Sequence, residues 1–309
     1  MRIIKNFHGI FLVSILLFTS VASAQVDLYQ RSLFEIKFGV GGTVFLGDLG
    51  GSKGAGKPGL LDFDLSSLRQ NSSIGLKLNL SNKVSIRGDV FYARLFGSDV
   101  LSQNPYRHNR NLSFRADLSE ISITAEVVSF NLAKFSKNKT NTSELYAFAG
   151  FGWIHFNPQG YYKGKWYDLQ PLGTEGQGLI PGKEKYSLNS VVIPFGIGYR
   201  KNISKSVYLG MELSMRKSQT DYIDDVSGTY ANVDVIRENH GDLAAQLSDR
   251  RIDKSAEALG RGNPGQNDNY SFVQITIAKG FGKSAARQQL KIISQKKNHT
   301  VLHKCPRFK

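Results

Sequence analysis

The segment TDYIDDVSGTY, from Thr220 to Tyr230, holds three carboxylates within five positions: Asp221, Asp224 and Asp225. Carboxylate oxygens at this spacing can bind a divalent cation, and a pair of acids can exchange protons with a substrate. The same residues can also lie in a solvated loop, where they end turns or pair with arginines. The choice between these roles depends on where the fold places the segment.

A histidine, a serine and an acid could form a hydrolytic set of the kind that acts on acyl chains. His155 is one candidate, with Ser218 and Glu212 as a serine and an acid that could lie at the same height. No motif connects these three positions. We therefore interpret His155 as a structural histidine and predict no catalytic residue.

Metal and phosphate sites are the other candidate chemistries. His240 and Asp242 could join Asp224 or Asp225 around an ion, but their spacing matches neither a zinc site nor a calcium loop. The glycine-rich segment at residues 47–59 lacks the Walker spacing, because proline follows its lysine where serine or threonine is required. We predict neither a metal ion nor a cofactor.

The start of the chain has the three parts of a secretory signal peptide. Arg2 and Lys5 supply the charged beginning, the run from Ile10 to Phe18 is almost wholly apolar, and small residues precede Gln25. We predict that residues 1–24 are removed on export.

Composition narrows the class of the exported chain. The full sequence has 309 residues, a formal net charge of +15 and one cysteine, so an internal disulfide framework is excluded. After the signal peptide no run of eighteen apolar residues occurs, so we expect no transmembrane helix. Glycine, phenylalanine and tyrosine are abundant, at 31, 19 and 13 residues, which favours a membrane β-barrel.

Eight segments alternate between apolar and other residues with the period of a β-strand. We assign Val44 of the first segment and Tyr146, Phe148, Ile154 and Phe156 of the fifth to the apolar face. Pro194, in the sixth, predicts a bend or bulge. The segments are LFEIKFGVGGTVFLGD, SSIGLKLNL, KVSIRGDVFYARLF, LSEISITAEVVSFNL, ELYAFAGFGWIHFN, NSVVIPFGIGYRK, KSVYLGMELSMRK and NYSFVQITIAKGFG.

The connections between these segments alternate in length. Long loops cover roughly residues 47–71, 98–112, 157–189 and 219–268, whereas the other links are short or of medium length. This pattern predicts an all-β fold: an eight-stranded antiparallel transmembrane β-barrel with long extracellular loops and short periplasmic turns. We assign the barrel to residues 25–282. A soluble barrel or sandwich, with the apolar stripe as its core, is the alternative.

The faces opposite the apolar stripe carry four acids and four bases. Such charges are costly against lipid but can pair across a narrow lumen, so we predict a lumen plugged by ion pairs. The residues are Glu35, Lys37, Lys77, Arg87, Asp89, Glu126, Glu212 and Arg216.

Residues 283–309 form a separate tail with eight lysines and arginines and no acid. Outside the cytoplasm nucleic acid is excluded as a partner. The tail is either solvated or a periplasmic docking segment for an acidic partner. Cys305, which has no internal partner, predicts an intermolecular disulfide.

Several segments resemble a known family. They are GGTVFLGDLGG near the start, KGKWYDLQPLGTEGQG, TDYIDDVSGTY, LSDR, RGNPGQNDNY and the terminal CPRF. They are similar to the PorG-type outer-membrane β-barrel family of Bacteroidota, which includes a component of the type IX secretion system and its paralogues. The resemblance covers nearly the whole exported chain. It implies a barrel without established enzyme activity that contacts the periplasmic PorK–PorN ring.

The resulting hypothesis is a non-enzymatic barrel of the cell outer membrane that anchors or contacts a type IX secretion apparatus and touches lipid and lipopolysaccharide. A lipid A-modifying enzyme and a small passive channel are the alternatives. The acidic segment then begins the longest outer loop, with Tyr222 and Tyr230 at the membrane interface. Its aspartates are expected in water or headgroups, where they end turns, pair with Arg237, Arg250 or Arg251, or hold a divalent ion.

Overall fold

A computed structural model describes residues 32–49, 65–102, 104–131, 143–204, 206–255 and 260–282. Within these ranges the chain forms nine strands and two α-helices. The strands are β1 (Phe34–Leu46), β2 (Arg69–Asn79), β3 (Val84–Ser98), β4 (Ser113–Asn131), β5 (Ser143–Tyr162), β6 (Lys165–Asp168), β7 (Asn189–Ser204), β8 (Val207–Ser218) and β9 (Asn269–Phe281). The helices are α1 (Pro105–Arg110) and α2 (Val233–Ser248).

Eight of the strands close into an antiparallel barrel. Each strand pairs with the next around the ring, β9 returns to pair with β1, and β4 pairs with β5. Closure leaves no open sheet edge in the ring, which a chain in lipid requires. The ninth strand, β6, pairs only with the end of β5 and extends that wall beyond the ring. The predicted eight-stranded antiparallel barrel is confirmed.

The outside of the barrel is apolar. Each of the eight strands presents at least one large hydrophobic side chain that is about half exposed or more, with Ile121 at 65% and Phe151 at 71%. Exposure of this surface to water would be unfavourable, because each Å² of apolar area left in water costs about 25 cal/mol of free energy. The surface therefore faces the hydrocarbon of a membrane, and the soluble-barrel alternative is wrong.

The fifth predicted segment was assigned to the wrong face. Tyr146, Phe148, Ile154 and Phe156 are buried inside the barrel, whereas the alternate residues of β5, including Trp153, face outward. Both faces of this strand are rich in apolar residues, so alternation alone does not distinguish lipid from lumen. The assignment of Val44 was also wrong, because β1 buries three consecutive residues near its end.

The β5–β7 pairing has a gap beside Pro194, but the bulge predicted at this position is not present. The register of β5 with β7 pairs Ala149 with Phe195 and resumes unchanged at Gly152 with Val192, whereas Pro194 keeps its pairing with Arg216 of β8. Proline has no N–H to donate, which explains the gap beside it. A bulge in the β7–β8 pairing lies further on, between Asn202 and Ser204.

The connections place four long loops at one end of the barrel and short turns at the other. We call the described parts of residues 47–68, 99–112, 163–188 and 219–268 the loop cap. Helix α2 belongs to it and buries Ile236 and Leu247. No described helix is long and apolar enough to cross a membrane. The predicted signal peptide at residues 1–24, the basic tail at 283–309 and Cys305 lie outside the described residues.

Candidate functional site: the barrel lumen and the loop cap

Alternation in the strands directs a set of charged side chains into the lumen near the short-turn end. Lys77 contacts Glu35 at 2.6 Å, and Arg87 contacts Asp89 at 2.6 Å and Glu212 at 2.8 Å. Lys37 lies 3.1 Å from Glu212 and 3.3 Å from Asp89, and Lys77 lies 3.3 Å from Glu126. Seven of the eight charged residues singled out in the sequence thus lie in one network.

Two residues of this network were missed in the sequence. Arg200 contacts Glu126 at 3.1 Å, Glu144 at 2.7 Å and Glu35 at 3.5 Å, so it joins three strands. The signal was present, because Arg200 alternates with Tyr199, which the pattern assigned to the lipid face. Glu144 was missed because the faces of β5 were exchanged.

Arg216, the eighth residue, lies higher in the lumen with a different partner. Its guanidinium lies between the rings of Phe91 and Phe272, at 4.7 and 4.1 Å from their centroids. Its ion-pair partner is Glu120, at 3.2 Å, which also accepts a hydrogen bond of 2.9 Å from Tyr270. Glu120 is fully buried and was not predicted.

Above Arg216 the lumen is filled by an apolar core. Phe114, Phe156, Leu118 and Ile154 are fully buried there, together with Ile223 from the loop cap. In the charged half, a cavity of about 20 Å³ remains, room for about a single water molecule. The lumen of the described barrel is therefore packed from the ion pairs up to the cap.

The hydrolytic set is not assembled. His155 is exposed on the outer wall, where Nδ1 lies 3.1 Å from the Asn189 side-chain oxygen. Ser218 is buried and donates to the Asp268 carbonyl at 2.6 Å. Glu212 belongs to the lumen network. These side chains lie on opposite sides of the barrel wall and share no reacting position.

The acidic segment lies inside the loop cap, which corrects the expectation that it projects into water. Asp224 and Asp225 are 0% exposed and Asp221 is 8% exposed. Tyr222 stacks on Tyr186, with centroids 4.5 Å apart, and is half-buried in the cap. The apolar residues within the segment were the available signal, since Ile223 and Val226 need a core to pack against.

Asp225 is held by three side chains from other parts of the cap. Tyr186 donates to it at 2.6 Å, Thr174 donates to its other oxygen, and Arg261 lies 3.4 Å away. Burial raises the pKa of Asp225 to about 6, although the Arg261 charge and the donors oppose this rise. The Asp225 backbone has a φ of 66°, which aspartate tolerates better than most residues.

Arg261 connects the cap through its buried guanidinium. One amino group contacts Glu175 at 3.1 Å and also donates to the Asp225 carbonyl at 2.5 Å. Glu175 in turn accepts hydrogen bonds from the backbone of Ser227 at 3.0 Å and of Gly228 at 3.1 Å. These contacts hold the loop at residues 163–188 against the loop at residues 219–268.

Asp224 and Asp268 are buried carboxyls held by backbone donors. Asp224 accepts from Leu49 at 3.1 Å and from Val226 at 3.0 Å, and Asp268 accepts from Ile223 at 2.8 Å. Burial raises the pKa of Asp224 well above its ordinary value, and the charge on Asp268 adds to this. Burial followed by the Asp221 charge raises the pKa of Asp268 in the same way.

Asp221 differs from its neighbours because neither carboxylate oxygen has a well-aligned hydrogen-bond partner. Burial raises its pKa to about 7; the Ser227 side chain lowers it, and the charges of Asp48 and Glu175 raise it further. A neutral carboxyl group is the form that such surroundings favour.

The arginines predicted to pair with the acidic segment have other partners. Arg237 contacts Asp234 and Asp242 on the surface of α2, Arg251 contacts Asp249, and Arg250 donates to the Ser113 hydroxyl. Tyr230 was expected at the membrane interface. Its ring instead lies beneath the Arg251 guanidinium, which is 4.8 Å from the ring centroid. None of these three arginines therefore forms an ion pair with Asp221, Asp224 or Asp225.

The metal candidates do not converge either. His240 Nδ1 lies 2.8 Å from the Leu172 carbonyl oxygen, and Asp242 forms an ion pair with Arg237. Within the described ranges, no three histidine, cysteine or acidic residues are placed to hold a metal ion.

A second arginine closes the cap from the side of α1. Arg110 contacts Asp99 with two nitrogens at 2.7 Å and donates to the Asp48 carbonyl at 2.7 Å and to the Arg261 carbonyl at 2.5 Å. Such bidentate pairs are among the stronger hydrogen-bonded contacts in proteins. Arg110 and Arg261 together tie all four long loops over the packed lumen.

Comparison with known proteins gives a family and a set of distant structures. Residues 9–246 match the family described as "Domain of unknown function (DUF6089)". No curated protein matches the chain.

Three solved structures are similar to this chain at low sequence identity. Neisserial surface protein A (NspA) has 8% identity and a TM-score of 0.36, covering 81% of this chain and 99% of that chain. The N-terminal β-barrel domain of Pseudomonas aeruginosa OprF has 8% identity and a TM-score of 0.33, covering 82% and 100%. Ail of Yersinia pestis has 9% identity and a TM-score of 0.32, covering 81% and 99%.

Proposed function

The chain belongs to the DUF6089 family, and from this premise we propose that it is a non-enzymatic barrel of the outer membrane that anchors or contacts the periplasmic ring of a type IX secretion system. In this proposal the chain is exported through its cleaved signal peptide. Its partners are periplasmic ring proteins of the PorK–PorN type, together with outer-membrane lipid and lipopolysaccharide.

The observation that carries the proposal is the packed lumen. Ion pairs around Arg87 fill one half, an apolar core around Phe114 fills the other, and the loop cap covers it. A barrel filled in this way is a rigid body in the membrane, and its surfaces are what remain available to partners.

Charge at the short-turn end supports a periplasmic contact. Lys83, Lys201 and Lys279 are exposed there, whereas the acids of the described strands at that end, including Glu35 and Glu144, are buried in the lumen network. An acidic partner surface would be attracted to such a rim, with a strength that falls as salt increases. The basic tail at residues 283–309 adds charge of the same sign.

The experiment is affinity purification of the full chain from detergent-solubilised membranes at low and high salt. We expect ring lipoproteins to copurify with the wild type and to be lost from a Lys83→Glu/Lys201→Glu/Lys279→Glu variant. Lys163→Glu/Lys165→Glu/Lys217→Glu, which changes the charge equally at the other end, is the matched control. Absence of ring proteins from the wild type, with normal secretion in a deletion strain, would refute the proposal.

A further inference from the structure

One part of the outer wall is polar and continues above the apolar belt. Along β3 the outward residues run from Val90 and Tyr92 to Arg94 and Phe96. Arg94 forms a two-point ion pair with Asp117 of β4, at 2.6 and 2.9 Å, so its charge is neutralised within the wall. This pair marks the end of the surface that can face hydrocarbon.

Two further arginines lie just above that pair, each over an aromatic ring. The Arg69 guanidinium is 4.0 Å from the centroid of Phe96, and the Arg115 guanidinium is 4.2 Å from the centroid of Trp166 on β6. Phe96 and Arg115 are direct cross-strand partners. The four side chains therefore form one strip, Arg69–Phe96–Arg115–Trp166, which we call the arginine strip.

Neither arginine of the strip has a carboxylate partner among the residues that the structure describes. Arg69 donates from one amino group to the Ser66 and Leu68 carbonyls, at 3.0 and 2.8 Å, and Arg115 donates from Nε to the Gln159 side chain at 2.9 Å. Each guanidinium has five N–H donors, so both retain donors for a ligand. Within the described ranges neither guanidinium lies in ion-pair contact with a carboxylate, in contrast to that of Arg94.

The strip lies at the depth of lipid headgroups. Phe96 is four residues beyond Tyr92 on β3, and with a rise of about 3.3 Å per residue and a tilt of about 40° this is about 10 Å along the membrane normal. It is about 5 Å beyond Arg94 on the same estimate. Acyl chains lying on the apolar belt would thus bring their headgroups directly against the strip.

We propose that the arginine strip binds the phosphate groups of lipopolysaccharide in the outer leaflet. Guanidinium groups bind phosphate oxygens with two parallel hydrogen bonds. Their stacking on Phe96 and Trp166 holds the planar groups in place before the ligand arrives, which reduces the entropy lost on binding. The apolar belt below, represented by Val90 and Ile121, receives the acyl chains of the same molecule.

The test uses the full chain in a non-ionic detergent with diphosphoryl lipid A as the probe. Binding is measured by native mass spectrometry or microscale thermophoresis for the wild type, for Arg69→Gln/Arg115→Gln and for Lys83→Gln/Lys201→Gln. The last variant removes the same charge from the opposite end of the barrel. We expect at least a tenfold loss of affinity in the arginine variant, an unchanged value in the lysine variant, and partial recovery with Arg69→Lys/Arg115→Lys.

The source of the phosphate is decided by competing ligands. We expect dephosphorylated lipid A, phosphatidylglycerol and inorganic phosphate each to bind at least tenfold more weakly than diphosphoryl lipid A. Equal affinity of the arginine variant and wild type would overturn the proposal, as would equal binding of phosphatidylglycerol. Should the double variant not fold, as judged by heat-modifiable migration, Arg115→Gln alone provides the comparison, with a smaller expected loss of about threefold.

Discussion

Replacement of Asp221 by asparagine should stabilise the loop cap at pH 8. Asp221 is buried without a well-aligned hydrogen-bond partner, and its pKa is raised from 3.8 to about 7. In the opened cap the carboxyl group would ionise near its ordinary value. Between about pH 4 and pH 7 the closed cap therefore binds a proton that the open cap has released, so its stability falls as the pH rises and levels off above 7.

The magnitude follows from the size of this shift. A difference of about three pKa units corresponds to about 4 kcal/mol of lost cap stability on complete ionisation. Asp221 is the most exposed of the three aspartates, at 8%, and its charge is partly screened. We therefore halve the figure, to about 2 kcal/mol. The amide introduced by Asp221→Asn would keep the shape of the side chain without its charge, so the variant should not lose this amount.

The assay is native-state hydrogen exchange at pH 5, 6, 7 and 8, corrected for intrinsic exchange rates. The amides to follow are those of Ile223 and Val226, which donate to Asp268 and Asp224 within the cap. About two of the three pKa units fall between pH 5 and pH 8, so we expect their opening free energy to fall by about 1.3 kcal/mol over this range in wild type, and by much less in Asp221→Asn. Asp234→Asn, an exposed acid on α2, should leave the wild-type profile unchanged.

Two outcomes would refute this reasoning. One is a wild-type opening free energy that does not change between pH 5 and pH 8. The other is an Asp221→Asn cap that is less stable than wild type at pH 8, because that result would mean the ionised carboxylate is stabilised by a cation or a donor. Other carboxyls with raised pKa values, such as Asp224, change the pH dependence of cap stability in the same direction. The difference in opening free energy between variant and wild type is therefore the decisive quantity.

Four further predictions concern the barrel and the tail. Arg216→Met should lower the free energy of unfolding, measured in urea, by about 3–5 kcal/mol, because it leaves Glu120 buried without its cation. Adding Glu120→Gln should recover at least half of the loss, and equal free energies of unfolding for the single and double variants would contradict this. Gly41→Ala should prevent folding into the heat-modifiable form, since a Cβ there overlaps the backbone of β9, whereas Gly88→Ala on the open face of β3 should fold as wild type. Planar bilayers containing the wild type should stay at baseline conductance, and steady single-channel steps would show that the lumen is not filled in the membrane. Cys305→Ser should remove a disulfide-linked dimer from non-reducing gels, and identical gels would show that the cysteine is free.

Much of the barrel could be predicted because strand alternation is a local signal. The charges of Lys37 and Arg87 and the long loops between strands each appear within a few consecutive residues, and lipid imposes a strict penalty on any outward charge. The exception is β5, where aromatic residues on both faces removed the contrast on which the prediction depends. Glu144 was lost from the lumen network for the same reason.

The loop cap could not be predicted because its contacts join residues far apart in the sequence. Glu175 and Arg261 are 86 residues apart, and Leu49 and Asp224 are 175 apart. A local sequence pattern shows acids flanked by aromatics, but it does not predict which distant backbone groups bind them. The expectation of solvated aspartates followed the usual behaviour of surface loops. It was wrong because these loops pack on the apolar core that fills the upper lumen.

The position of Arg261 and Asp268 in the chain couples a complete cap to a closed barrel. Both residues lie in the last loop, directly before β9, and β9 is the strand that joins β1 to complete the ring. In a chain whose last loop is not docked, Glu175 lacks its cation and the Ile223 amide lacks its acceptor. A surface antibody that recognises only the assembled cap would therefore label only barrels whose insertion is complete, and would distinguish them in living cells from chains still being inserted.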